Sequence, residues 1–423
     1  MTKVLIAGGG VGGLALAQAL RKAGVPVEVF ERDAEADDWL LGYRIHVNRH
    51  GGQALRRCLP EPLWEAFVAT AGRPGAGLTF HTEQLTELLH VEEELMTGGS
   101  PDGHHAVSRI ALRRLLLTDL NVHFGRTFER YSHNDDGTVT AHFTDGSTAV
   151  GDVLIGADGA NSTVRGQLLP DAKRVDTAVH GVAGRLPLTD ETRSWLPDRV
   201  KNGLSIVLPT DDEFFFSAVF DGRRRTADAL AAGTHLVDEE MLDNVSDYLL
   251  WAFATRHSPA DGVAPLIRDW HPTLQRMVAE TDPATVHTMR FKTSAPVTPW
   301  PTTRVTLLGD AIHNMTPVMG LGANTALRDA ALLAHQLTAV HHGAPLLDAL
   351  AEYERRMLAY GFEAVTTSRD RAYEFTSPNP IAKRAMRAWL RLCAAIPPMK
   401  RAAFGDKWTD DTAGLPPVTA PSR

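Results

Sequence analysis

Cysteine is almost missing from this sequence: two in 423 residues, Cys58 and Cys393, far apart. That pair offers no disulfide framework and suits free thiols in a reducing compartment. No grouping of histidine and cysteine has metal-ligand spacing, so no metal is expected. Positive charge is in short supply too, with 43 Lys and Arg against 51 Asp and Glu and a net charge of −8. A nucleic-acid binder would need a basic surface, so that class is set aside. There is no uninterrupted apolar run of about 20 residues, the length that spans a bilayer. The opening residues lack a basic segment followed by an apolar signal core. The expectation is a cytoplasmic protein without a transmembrane segment, acting on a small molecule as a monomer or dimer.

Apolar residues make up 43 % of the chain. That suffices for a large core, and the length makes two joined domains the default. The first chemical signal is at the start. Val4 to Ala7 is an all-apolar run suited to a buried parallel strand. Gly8, Gly10 and Gly13 follow at G-x-G-x-x-G spacing, with Val11 and Gly12 between them. The first glycine permits a tight turn, the second lets backbone approach a pyrophosphate, and the third lets helix pack on strand. Leu14 to Ala23 reads as a helix stopped by Gly24, and Val27 to Phe30 as a second strand ending at Glu31 and Arg32. The helix N-terminus offers unpaired N–H groups to phosphate, and Glu31 is placed to accept ribose hydroxyls. An acid there disfavours the extra phosphate of NADP. The unit leaves FAD and NAD equally open.

Two further strand-to-loop units decide between them. Asp152 to Arg165 runs from an apolar strand into Gly156, Asp158 and Gly159, with a helix start at Asn161 or Ser162. Arg304 to His313 runs into Gly309-Asp310, then Pro317, Gly320, Gly322, Asn324 and Asp329, with a helix from about 323 to 340. Together these three motifs resemble the FAD-dependent monooxygenases of the para-hydroxybenzoate hydroxylase fold, which include aromatic hydroxylases and tetracycline-type monooxygenases. The resemblance runs from about Lys3 to Tyr360. Ser108-Arg109-Ile-Ala-Leu112 matches that family's Arg-x-x-Leu helix start, and Gly42-Tyr43-Arg44-Ile45 lies where the family runs its chain beside the flavin.

The resemblance implies an α/β fold: a Rossmann-like FAD-binding domain with an inserted antiparallel-sheet substrate domain and C-terminal helices. FAD-binding portions are expected at 1–75, 105–170 and 298–360, a segment flanking the active site at 76–104, the substrate domain at 171–297, and helices with a frayed tail at 361–423. It implies that Asp310 bonds the ribityl hydroxyls, that Arg109 neutralises pyrophosphate or ribityl oxygens, and that Asp158 serves flavin and passing NAD(P)H. Gly320, Leu321, Gly322, Ala323 and Asn324 would turn backbone N–H groups to the pyrimidine end of the ring, where reduced flavin carries negative charge. Pro317, Gly320 and Arg44 are the flavin-edge candidates, and no acid or base is assigned.

Blander roles compete at several of these positions. Asp158 suits a helix cap, and His313 suits a helix-start histidine satisfied by backbone. In the second domain, strands are expected at Val179–Leu186, Leu204–Leu208, Glu213–Phe220 and Val286–Thr293, with helices at Met241–Ala254 and Ile267–Glu280. His180, Phe214, Phe216 and Arg290 are its substrate candidates, although core packing is the commoner fate of an aromatic stripe. Leu78 to Leu95 reads as a loop or hairpin over the active site, its three glutamates from Glu92 as solvated. Ile381 to Ala395 reads as a basic amphipathic helix that either docks on its own protein, the commoner case, or touches a membrane surface.

The implied chemistry is monooxygenation. NAD(P)H reduces FAD, dioxygen adds, and a flavin hydroperoxide delivers one oxygen atom to an aromatic or polycyclic substrate. A flavin oxidase, a double-bond reductase and a non-enzymatic flavin-binding module stay open beside it. The Trp-x-Trp-x-Ile-Pro motif of flavin halogenases is absent.

Overall fold

The structure, a computed structural model, describes residues 2–34, 44–72, 75–97, 104–220 and 247–405. Its first sheet is parallel, in the order Val305–Leu307, Val153–Gly156, Val4–Ala7, Val27–Phe30, Val122–His123. The strands VLIA and VLIG are buried at every position. Helices and the antiparallel sheet Phe128–His133, Val139–Phe143, Thr148–Gly151 both pack on these strands, so continuous apolar runs are what they require. The helix Val11–Lys22 begins three residues before the expected Leu14, because Gly10 is already its N-cap. It packs against the helices Arg49–Cys58, Arg109–Leu117 and Leu321–His341. Gly8 has φ +115°, and a Cβ there would stand 2.2 Å from the Ala157 carbonyl oxygen. No other residue type lets the two central strands end so close together.

The second sheet has seven strands in the order His287–Ser294, Arg174–Pro187, Tyr248–Thr255, Glu213–Phe220, Leu204–Val207, Leu78–His81, Glu87–Val91. All neighbours are antiparallel except Leu204–Val207 with Leu78–His81. The segment after residue 76 therefore adds a hairpin to the edge of this sheet.

Two expectations need correction. Residues 241–246 of the expected helix Met241–Ala254 lie outside the described residues, and Tyr248–Thr255 is a strand. Its sequence, YLLWAFAT, is buried between two partners in register. A short apolar run without alternation fits a buried strand and a buried helix equally until its neighbours are known. The expected helix Ile267–Glu280 shortens to Pro272–Ala279. Pro272 takes the first helical position, and His271 Nδ1 accepts from the Thr273 amide at 3.1 Å.

One face of the second sheet packs Phe215, Trp251 and Phe253 onto Trp270, Leu274 and Met277. The other packs Phe80, Leu208 and Phe214 onto Phe375, Leu390 and Cys393 of the C-terminal helices Leu346–Phe375 and Pro380–Ala395.

Candidate active site

The C-terminal ends of the parallel strands open onto one mouth, the usual ligand position in such sheets. At its first edge stands the glycine loop. A Cβ on Gly12 would stand 2.5 Å from Leu308 Cδ2, and one on Gly13 2.3 Å from the Gly8 carbonyl oxygen. A Cβ on Gly10 would meet none of the described residues within 4 Å. Gly8, Gly12 and Gly13 are thus packing glycines, while Gly10 faces open space before the unpaired N–H groups of its helix.

Glu31 Oε2 accepts from the Gly9 amide at 2.5 Å and Oε1 from the Asp33 amide at 3.0 Å. Its carboxylate thus braces the loop, and Arg32 beside it is exposed. Arg113, 3 % exposed, completes the brace. Its Nε donates to the Gly9 carbonyl at 3.3 Å and its Nη2 to Asp33 Oδ2 at 3.4 Å. The motif reading missed Arg113. The available signal was its place four residues after Arg109, on the same side of one helix.

Arg109 opens the helix Arg109–Leu117, whose N-cap Ser108 accepts from the Ala111 amide. Burial pulls its guanidinium down to about 10, and the Asp310 carboxylate opposes that shift. Asp310 is exposed at the end of the strand Val305–Leu307, after Gly309 at φ +65°. A Cβ on Gly322 would lie 3.7 Å from Asp310 Oδ1. Arg109, Asp310 and Gly322 therefore stand together at the strand ends.

Asp158 lies where its competing role placed it. Oδ2 accepts from the amides of Thr163 at 2.7 Å and Val164 at 3.2 Å, capping the helix Thr163–Leu168, while the buried Oδ1 has no hydrogen-bond partner among the described residues.

At the far side Pro317 is exposed, in the turn Pro317–Met319. Gly320 adopts a left-handed conformation, φ 61° and ψ 25°, and the helix Leu321–His341 starts at once. Leu321, Gly322 and Ala323 are half-buried in its first turn. The Asn324 side chain is committed elsewhere. Nδ2 donates to the carbonyls of His46 at 2.8 Å and Gly320 at 2.9 Å, and Oδ1 accepts from the Asn48 amide at 2.9 Å. It stitches the strand Arg44–Val47 to the Gly320 loop.

The expectation of a backbone-satisfied His313 is corrected. His313 is fully buried, and its Nε2 donates to Asp329 Oδ2 at 2.6 Å. Burial disfavours its charge, but the Asp329 carboxylate outweighs that and raises its pKa. Asp329 also accepts from the Gly309 amide at 2.8 Å and the Tyr360 hydroxyl at 2.6 Å. Pairing across 16 residues, from one element to another, is invisible to local motif reading.

Over the mouth lies the second sheet. Gly42 and Tyr43 fall outside the described residues, but Arg44 reaches that sheet, donating from Nη1 to the Val219 carbonyl at 2.6 Å. Burial draws Arg44 down to about 10, with Tyr248 and Glu93 opposing. His46, on the same strand face, packs edge-on against His104 at 4.6 Å. Burial holds His46 well below its usual value, helped by His104, Arg44 and His105. Glu93 faces this group, 3.5 Å from His104 Nδ1, and burial raises it to about 7 against the pull of Arg44. Of the glutamates read as solvated, Glu92 pairs with Lys400 and Glu93 turns inward.

The expected substrate residues separate. Phe216 is half-buried in the cluster that includes Val318, two residues from Gly320. Phe214 stacks on Phe375 at 4.9 Å and belongs to the core. His180 is half-buried opposite Arg290, while Arg290 is 59 % exposed and paired with Asp176 at 2.9 Å. Phe216 and Val318 both pack, half-buried, against the cluster that holds Phe214 and Phe375, whereas Arg290 lies outside it.

Residues 1–368 match the family described as FAD binding domain. A dual O-methyltransferase/FAD-dependent monooxygenase of Cercospora beticola is 31 % identical over 388 residues, 84 % of this chain and 44 % of that protein. The chain spans less than half the length of such dual-function relatives. A FAD-dependent urate hydroxylase of Klebsiella pneumoniae is 28 % identical over 357 residues, 83 % of this chain and 85 % of that one. Among solved structures, a candidate FAD-containing monooxygenase of Photorhabdus luminescens superposes with a TM-score of 0.77 at 32 % identity, covering 90 % of this chain and 99 % of that one. The chain belongs to the FAD-binding domain family, among relatives that are FAD-dependent monooxygenases of the aromatic hydroxylase type.

Proposed function

We propose that this protein is an NAD(P)H-consuming, FAD-dependent monooxygenase that places one atom of dioxygen on an aromatic or polycyclic substrate. The observation that carries the reading is the set formed by the open Gly10 cradle, the Arg109–Asp310 pair and the Gly320 helix start at the C-terminal ends of the parallel strands. These groups fit FAD in order: donors and positive dipole for pyrophosphate, an exposed carboxylate for ribityl hydroxyls, and a second helix N-terminus for the ring. Bound there, the flavin supplies electron transfer from NAD(P)H and the activation of dioxygen.

The chain's own residues do the rest. Gly10 and the first turn after it hold the phosphates, and Arg109 offsets their charge. The amides of Leu321, Gly322 and Ala323 face the pyrimidine end and stabilise negative charge there. Phe216 and Val318 give an apolar wall that excludes water from the reacting substrate. On the other side, Glu93 is held near neutrality beside Arg44, poised to keep or release a proton at the polar end of a bound ring. A urate hydroxylase among the relatives supports an electron-rich ring as the substrate class.

The test is NAD(P)H consumption by the FAD-loaded protein across a panel of aromatic and polycyclic compounds, under oxygen-18 gas, with product masses recorded. One labelled oxygen in the product is expected. Unlabelled product with stoichiometric hydrogen peroxide would make the protein an oxidase.

A further inference from the structure

Between Glu374 and Asp406 the chain has no acidic residue and six cations: Lys383, Arg384, Arg387, Arg391, Lys400 and Arg401. In a chain of net charge −8 this is a marked separation of charge. The stretch forms the helices Pro380–Ala395 and Pro397–Phe404.

The inner face of the first helix is committed. Leu390 and Cys393 are buried, and Lys383 Nζ donates to the carbonyls of Glu213 and Phe375. Arg387 donates to the Leu208 carbonyl at 2.8 Å and pairs with Glu83, while Lys400 pairs with Glu92. Half of the cations thus fasten the helices to the second sheet.

The outer face is different. Ile381, Trp389, Leu392 and Ile396 are 74 %, 41 %, 46 % and 41 % exposed. Residues 381, 385, 388 and 392 follow helical spacing along one line, with Trp389 and Ile396 beside them. Arg384 and Arg391, two turns apart, border this apolar strip on one side. Both are exposed, as is Arg401, and none of the three forms an ion pair among the described residues. Apolar side chains including a tryptophan, edged by arginines on a stretch without an acid from 375 to 405, match the interface of a bilayer with anionic headgroups. A second copy of this face would set arginines against arginines.

We propose that this outer face binds the surface of membranes containing anionic phospholipid, lying in the headgroup region without crossing. No helix of the described residues is long and apolar enough to cross a membrane. The inference is independent of the proposed reaction.

The experiment is co-sedimentation of the full FAD-loaded chain with vesicles of phosphatidylcholine containing phosphatidylglycerol, and with phosphatidylcholine alone. Binding is expected only to the anionic vesicles and is expected to weaken as salt rises. Arg384→Gln/Arg391→Gln and Trp389→Ala/Leu392→Ser should each lower partitioning about tenfold or more, with flavin content and thermal midpoint unchanged. Equal binding to neutral vesicles, no binding to anionic ones, or unchanged binding by the arginine variant overturns the proposal. So does a dimer, seen by light scattering without vesicles, that Trp389→Ala/Leu392→Ser dissolves, since a second copy would then occupy the face.

Discussion

His313 Nε2 stands 2.6 Å from Asp329 Oδ2, and neither residue touches solvent. The same carboxylate holds the Gly309 amide directly before Asp310. His313 has its pKa raised in the folded protein. Its contribution is therefore complete below the unfolded value of about 6.5 and fades as pH rises through the folded value. The thermal midpoint should fall as pH is raised above about 6.5. Asp329→Asn should flatten that slope and cost about 3–5 kcal/mol, as breaking one side of a buried pair does. Thermal melts of both proteins across pH check this.

Gly8 and Gly10 should fail differently on substitution by alanine. At Gly8 the new Cβ would press on the Ala157 carbonyl at 2.2 Å, so Gly8→Ala should unfold or fail to express. At Gly10 it meets no atom of the described residues within 4 Å, so Gly10→Ala should fold with a normal melt. Because that space is where pyrophosphate would approach, its FAD affinity should drop at least about tenfold. Circular dichroism and FAD titration separate the two outcomes.

Asp310→Ala should remove bonds to the ribityl chain. About 1–3 kcal/mol is expected for lost charge-assisted hydrogen bonds, or roughly tenfold to a hundredfold in Kd. The Asp310 side chain is exposed, so stability without FAD should hold. Flavin fluorescence titration of apoprotein measures it; unchanged affinity would take Asp310 out of the site.

Glu93 is raised by burial from 4.5 to about 7. Folding thus favours its protonated form, and the stability this gives is complete below about 4.5 and lost as pH climbs to about 7. Glu93→Gln should remove this loss, so its melting advantage over the parent should grow between those values. A parallel pair of melting curves would count against the inward-facing carboxyl.

Phe214 and Phe216 share a strand but not a task. Phe214→Ala deletes a ring stacked on Phe375 and should cost about 3–5 kcal/mol. Phe216→Ala, at a half-buried position, should cost less and change which compounds stimulate NAD(P)H consumption. Denaturant melts and a substrate panel distinguish them.

What could be read beforehand follows from where the information lies. The glycine loop, the strand end at Glu31 and the Gly320 helix start are local turn chemistry, so their residue types announce them. The facing of Glu93, the reach of Arg113 to Gly9 and the partner of His313 depend on other elements. Tyr248–Thr255 was misread because its apolar run lacks a period. Asp158 shows a further limit: its residue type suits a cap and a ligand, and one carboxylate oxygen is free of the cap.

Asn324 joins the His46 carbonyl, the Asn48 amide and the Gly320 carbonyl through a single side chain. The Gly320 loop and the strand that meets the second sheet are thereby one mechanical unit. A displacement begun at Arg44, where that strand meets Val219, would be transmitted to Gly320 without loss in a flexible hinge. Amide hydrogen exchange at Asn48 and around Gly320 should accordingly rise and fall together, as one cooperative opening.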